Sequence, residues 1–133
     1  MPLYRLPVSH RPERDGTAVT SRHVTYYLAL EVAALAWARL LDERGQGLLA
    51  AANLALVSTQ FDFRRELFTG YVDVDVEVVR VGTSSVAFAQ HIYQDDVRAA
   101  TGETVVAQTN EARTRATPLS AEQRAMLGSL VRV

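Results

Sequence analysis

The 133-residue chain contains no cysteine. Disulfide frameworks, thiolate metal sites and cysteine nucleophiles are therefore excluded. Lysine is missing as well, and all 14 basic residues are arginine, a usage that fits coding bias in a GC-rich genome better than a task. They nearly balance 15 acidic residues and are scattered rather than grouped in a stripe, which argues against a nucleic-acid surface. No proline interrupts the interior between Glu13 and Thr117. Long regular elements are free to form there. The longest apolar stretch, Tyr26 to Ala38, is shorter than a bilayer span and contains Glu31, so no membrane span is expected. The start, Met1-Pro2-Leu3-Tyr4-Arg5, lacks the basic-then-apolar order of a secretory signal, and a cytoplasmic location is the expectation.

What is present is a hydrophobic fraction of 48%, enough for one continuous core over residues 1–133. From Thr25 to Arg44 the sequence TYYLALEVAALAWARLLDER is rich in Ala and Leu and ends on a basic residue and Gly45, as a helix does. Its apolar residues, Tyr27, Leu28, Leu30, Val32, Leu35, Trp37 and Leu41, fall on more than one side. A curved sheet or a partner subunit has to cover most of its circumference.

After this helix the period drops to two. In YVDVDVEVVRV, Val72, Val74, Val76 and Val78 point one way and Asp73, Asp75 and Glu77 the other, the pattern of an antiparallel strand with one wet face. Gly82-Thr83-Ser84 makes a turn into a strand from Ser85 to Tyr93. A second turn is expected within Gln94 to Gly102, followed by a strand in Glu103 to Arg115. Asn53 to Leu67 supplies an earlier strand, and Leu3 to Val8 a short one. Ser120 reads as the N-cap of a terminal helix reaching Leu130. The expectation is an α+β domain: a curved antiparallel sheet of about five strands, four of them in meander order, wrapped around one long central helix, with a short C-terminal helix.

Three stretches make this pattern specific. They are HVTYYLALEVAAL from His23 to Leu35, FDFRREL followed by Gly70, and VRVGTSSVAF with the later AATGETVV. In order and spacing the chain resembles the 4-hydroxybenzoyl-CoA thioesterase-like hotdog family, although Glu66 stands where that family usually has proline. The resemblance implies hydrolysis of acyl-CoA or acyl-carrier thioesters without metal or organic cofactor, in a cleft between subunits of a homodimer or homotetramer. It also implies an aspartate before the helix as nucleophile or general base, with helix-start N–H groups polarising the thioester carbonyl. A helix N-terminus offers such donors and a partial positive charge.

When Tyr27-Leu28 is laid on the family's Tyr-Leu, the catalytic aspartate falls on Thr17, and Asp15 matches an acidic position two residues earlier. A threonine hydroxyl needs a neighbouring base before it can attack. Asp15, Thr17 and His23 are therefore the catalytic candidates, with Gly16 permitting Asp15 another loop path. Thr20, Ser21, Tyr27, Glu31 and Arg65 are candidates for holding substrate, and Arg64 and Arg80 are further cations suited to phosphate. Most have a plainer reading: turn residue for Asp15, backbone-bonded loop histidine for His23, helix caps for Thr20 and Ser21, an ion pair for Glu31 and solvated strand charges for the arginines. His10 and His91 have no zinc-like spacing, and His91 is expected to pack within the sheet. Loss of the aspartate leaves a second reading open, a hotdog protein that binds an acyl thioester or partner without cleaving it.

Overall fold

A computed structural model describes residues 3–9, 24 and 26–131, apart from the side chain of Tyr26. The elements run β1 (Leu3–Val8), α1 (Tyr26–Arg44), β2 (Leu54–Phe63), β3 (Gly70–Val81), β4 (Ser85–Gln94), β5 (Val97–Gln108) and α2 (Ala121–Ser129), with a short 3-10 turn at Ala51–Asn53. The strands form one antiparallel sheet in the order β1-β3-β4-β5-β2.

Alternation builds the inner face. Val72, Val74, Val76 and Val78 of β3, Phe88 and Ile92 of β4 and Val106 of β5 are all essentially inaccessible. Across them lies α1, whose buried stripe is Leu28, Ala29, Val32, Ala33, Ala36, Leu40 and Leu41, at the spacing of one helical face. Trp37 stacks on Phe88 with ring centroids 5.5 Å apart, fixing the middle of the helix over β4. Within one chain the sheet covers one side of α1 only: Tyr27 is 50% and Leu35 49% exposed. α1 stops at Gly45, where a Cβ would collide with the Leu41 carbonyl that accepts the Gly45 N–H at 2.8 Å. The chain then turns through Gln46 (φ 57°) and Gly47 (φ 71°).

The structure corrects three expectations. First, only β3, β4 and β5 form a meander, because β2 crosses over to pair with β5 at the far edge. Second, β5 begins at Val97 and not at Glu103, because the turn expected within Gln94 to Gly102 is confined to Asp95 (φ 53°) and Asp96 (φ 64°). Two successive positive φ values are what a two-residue hairpin turn with the sheet's twist requires, and Asp tolerates them better than most residues. Gly102 is consequently mid-strand; the Phe61 ring of β2 lies where its Cβ would be. Third, the outer face of β3 is not uniformly wet, since Asp75 is buried between Leu3 and His91 in the strand register.

The C-terminal helix forms as the sequence suggests. Ser120 accepts the Gln123 N–H at 3.1 Å and Gln123 returns a bond to the Ser120 N–H at 2.9 Å, a reciprocal cap. Met126 and Leu127 anchor α2 in the core. Among the described residues no helix is long and apolar enough to cross a membrane.

Candidate active site

β2 ends at Phe63, and the chain immediately bends over β5: the N–H groups of Arg64 and Arg65 both bond the Ala99 carbonyl, at 2.8 and 3.3 Å. The following loop runs back to the start of α1, where the Val24 N–H donates to the Leu67 carbonyl at 3.0 Å. Val24 and Leu67 are both buried, so this junction is a fixed point. Between the two walls is a cavity of about 330 Å³, lined by Val24, Ala29 and residues 63–67. Its floor is apolar and its loop wall carries Arg64, Arg65 and Glu66.

Ala29 places the cavity at the first turn of α1, a turn without an acidic residue. Backbone N–H groups of a helix's first turn have no partner within the helix, and the helix dipole makes that end positive. An apolar pocket beside such an end suits a neutral carbonyl whose oxygen becomes negative during reaction. A larger hollow of about 530 Å³ lies between β1 and the second half of α1, lined among others by Leu6, Leu35, Arg39, Asp42 and Leu49. It sits beside the electronegative end of the helix, the wrong polarity for that chemistry.

Of the residues singled out from sequence, Arg65 lines the smaller cavity, and Arg64 joins it there. Tyr27 is half exposed and Glu31 partly buried on α1, one turn apart. Neither lines that cavity. Arg80 is elsewhere, paired with Glu103 at 2.5 Å. His91 is partly buried in β4 with Nδ1 3.1 Å from the Thr101 hydroxyl. Asp15, Thr17, Thr20, Ser21 and His23 lie outside the described residues. Among the described residues no group of three or more His, Asp or Glu side chains is placed to hold a metal ion.

Two residues that shape the site carry no clear signal in the sequence. Gln94, at the end of β4, accepts the Phe68 N–H at 2.9 Å and donates to the Phe68 and Tyr71 carbonyls at 2.8 and 3.2 Å. Gln90, fully buried in the same strand, donates to the Ala33 carbonyl of α1 at 2.7 Å and accepts the Thr104 hydroxyl at 2.8 Å. Because Thr104 donates its only proton to Gln90, the 3.0 Å bond between Thr59 and Thr104 has Thr59 as donor. The nearest sequence signal, for Gln90, is a glutamine at an inward position of a strand.

The family profile described as the thioesterase superfamily matches residues 23–101, more than half of the chain. No functionally curated protein matches the sequence. The fold is similar to that of a thioesterase from Thermus thermophilus solved with coenzyme A and zinc: TM-score 0.77, 22% identity, 96% of this chain and 92% of that one. It is also similar to a predicted thioesterase from Bacillus stearothermophilus, with TM-score 0.75, 17% identity, and 98% and 97% of the two chains covered. A 1,4-dihydroxy-2-naphthoyl-CoA thioesterase from Synechocystis aligns with TM-score 0.73, 16% identity and 96% of each chain.

Proposed function

The chain belongs to the thioesterase superfamily, and from that membership we propose that it hydrolyses acyl thioesters of coenzyme A or an acyl carrier in the cavity at the start of α1. The observation that carries the placement is the apolar cavity shared by Ala29 of the first helical turn and the Arg64-Arg65 loop. The thioester carbonyl sits against the helix start, whose N–H groups stabilise the developing oxyanion; one well-aimed donor of this kind contributes about 3 to 4 kcal/mol. Arg65, with Arg64, meets the phosphates of the carrier, which a planar guanidinium suits.

Asp15 is the proposed base or nucleophile, His23 its neighbour near the substrate, and Thr20, Ser21, Tyr27 and Glu31 contact the acyl or carrier portion. As base, Asp15 takes a proton from water as the oxygen attacks the carbonyl carbon; the C–S bond then breaks and the thiol leaves with a proton. Thr17, at the position the family gives to the aspartate, supplies a hydroxyl but no charge.

The active form is a cytoplasmic homodimer or homotetramer of single-domain chains. In it α1 becomes the central helix of a hotdog unit, with the flank carrying Tyr27 and Leu35 closed by a second copy. The edge strand β2 supports this reading, since it leaves Leu56 63% and Val57 60% exposed beside a backbone edge that no other strand pairs with among the described residues. Two such edges meet antiparallel about a two-fold axis.

A panel of acyl-CoA substrates read by free-thiol release tests the activity. Turnover of at least one substrate is expected, with kcat reduced about 10²-fold or more in Asp15→Asn. The substitution at Thr17 favours a second reading, binding without cleavage. Saturable acyl-CoA binding with no thiol release from any substrate would establish that reading and dismiss the hydrolase.

A further inference from the structure

Strand β4 contributes no atom to the lining of the candidate cavity, yet it holds both of its walls. Gln90 reaches the Ala33 carbonyl, one helical turn beyond the cavity-lining Ala29. Gln94 grips the backbone at Phe68 and Tyr71, directly after the cavity-lining stretch that ends at Leu67. We propose that Gln90 and Gln94 are positioning residues which set the separation of helix wall and loop wall, and through it the fit of the acyl thioester. This rests on the hydrolase reading for its ligand, though not for its geometry.

Gln90 is not needed to build the helix. In a regular α-helix the Ala33 carbonyl already accepts the N–H four residues on, so the bond from Gln90 is additional. What that bond defines is where α1 lies along the sheet, because sliding or rotating the helix removes the acceptor from reach. The Gln90 amide cannot flip without turning its oxygen toward the Ala33 carbonyl, which has no proton to give, and this fixes the direction of the Thr59, Thr104 and Gln90 chain, each hydroxyl donating inward. Its carbonyl faces Thr104 and its N–H faces Ala33, and no buried side-chain polar atom among the described residues lacks a partner.

Gln94 does the same for the loop. Its amide uses both its oxygen and its nitrogen on main-chain groups of residues 68 and 71. The Ala99 carbonyl holds the loop at Arg64 and Arg65, and the Val24 N–H holds it at Leu67. With Gln94 removed, the segment keeps its anchors at Arg64, Arg65 and Leu67 and its entry into β3 at Gly70, but loses the side-chain tie that joins Phe68 and Tyr71 to the end of β4. Displacements of about 1 Å at a reacting group can cost about 10²-fold in rate, so small freedoms of either wall matter.

Gln90→Met and Gln94→Met remove the amides while keeping unbranched side chains of similar length. Two readouts are taken for each: amide hydrogen exchange by NMR, and kcat and KM for a panel acyl-CoA. Gln94→Met is expected to speed exchange at Phe68 by about tenfold and to raise KM about tenfold with little change in kcat, since the loop carries the phosphate contacts. Gln90→Met is expected to lower kcat about tenfold, since the helix carries the carbonyl contacts.

A purely structural role predicts lower melting temperatures with wild-type kcat and KM in the folded protein, and that result overturns the proposal. Unchanged exchange across residues 64–71 in Gln94→Met overturns it equally, whether or not any substrate is cleaved. If the wild type releases no thiol at all, the hydrolase reading fails separately, and the exchange result still decides the positioning claim. Should Gln90→Met not fold, the exposed Gln94 site carries the test alone.

Discussion

Tyr4 is buried on β1, and that burial is the main reason its phenol is pushed above its ordinary value of 10.0. The Glu43 carboxylate adds to the shift, while Arg44 and Arg39 oppose it, Arg39 lying 5.4 Å from the ring centroid. The native state thus keeps the neutral phenol where the unfolded chain has begun to lose its proton. Folding stability linked to Tyr4 is complete below pH 10 and declines as pH rises from there through the native value. Urea unfolding at neutral pH and above about pH 10 should show this decline reduced in Tyr4→Phe; an identical decline in the variant would remove Tyr4 as its source. At this scale the sequence is legible where a residue's partner is local. The Ser120 cap and its Gln123 partner are three residues apart and follow a known box, so the cap can be read directly. Gln90 and Ala33 are 57 residues apart and Gln94 and Phe68 are 26, and no local rule links them.

Elements are legible where periodicity decides them. α1 and β3 follow from the apolar stretch and the alternating valines, and both form almost where expected. The turn of the second hairpin falls within the expected stretch, but β5 starts earlier than expected because glycine is the stronger turn signal in the sequence, whereas Asp95 and Asp96 make the turn and Gly102 makes room for Phe61. β2 is recognisable as a strand, but its place beside β5 is a tertiary choice without a local pattern. The exposure of β2 carries its own prediction. Burying a side chain such as Leu56 or Val57 against a second copy stabilises by about 1.5 to 3 kcal/mol each, while a charge there resists pairing. Sedimentation should find the wild type dimeric or tetrameric and Val57→Lys shifted toward monomer; a wild-type chain that sediments as a monomer at high concentration contradicts the proposed subunit contact.

The whole molecule joins a rigid half and a specialised end. The inner valines, Phe88 and the Trp37 stack hold α1 against the sheet, and the strand ends leave a hollow where the helix begins. The α+β class and the family resemblance can be read from residue order: the first two stretches line the hollow through Val24, Ala29 and residues 63–67, Ala99 of AATGETVV holds its loop wall, and the Gly82 turn of VRVGTSSVAF lies instead beside α2. The proposed catalytic carboxylate cannot be read in this way, since the family resemblance puts Thr17 at its position and Asp15, Thr17 and His23 fall outside the described residues. The cavity's walls depend on glutamines in β4, which only the three-dimensional structure brings to them.

Most direct for the placement of the active site is amide exchange of the whole protein with and without a non-hydrolysable acyl-CoA thioether. The account predicts protection at Val24, at Ala29 and across residues 63–67, the lining of the 330 Å³ cavity. Protection confined instead to the 530 Å³ hollow around Leu35, Leu41 and Leu49 would contradict it.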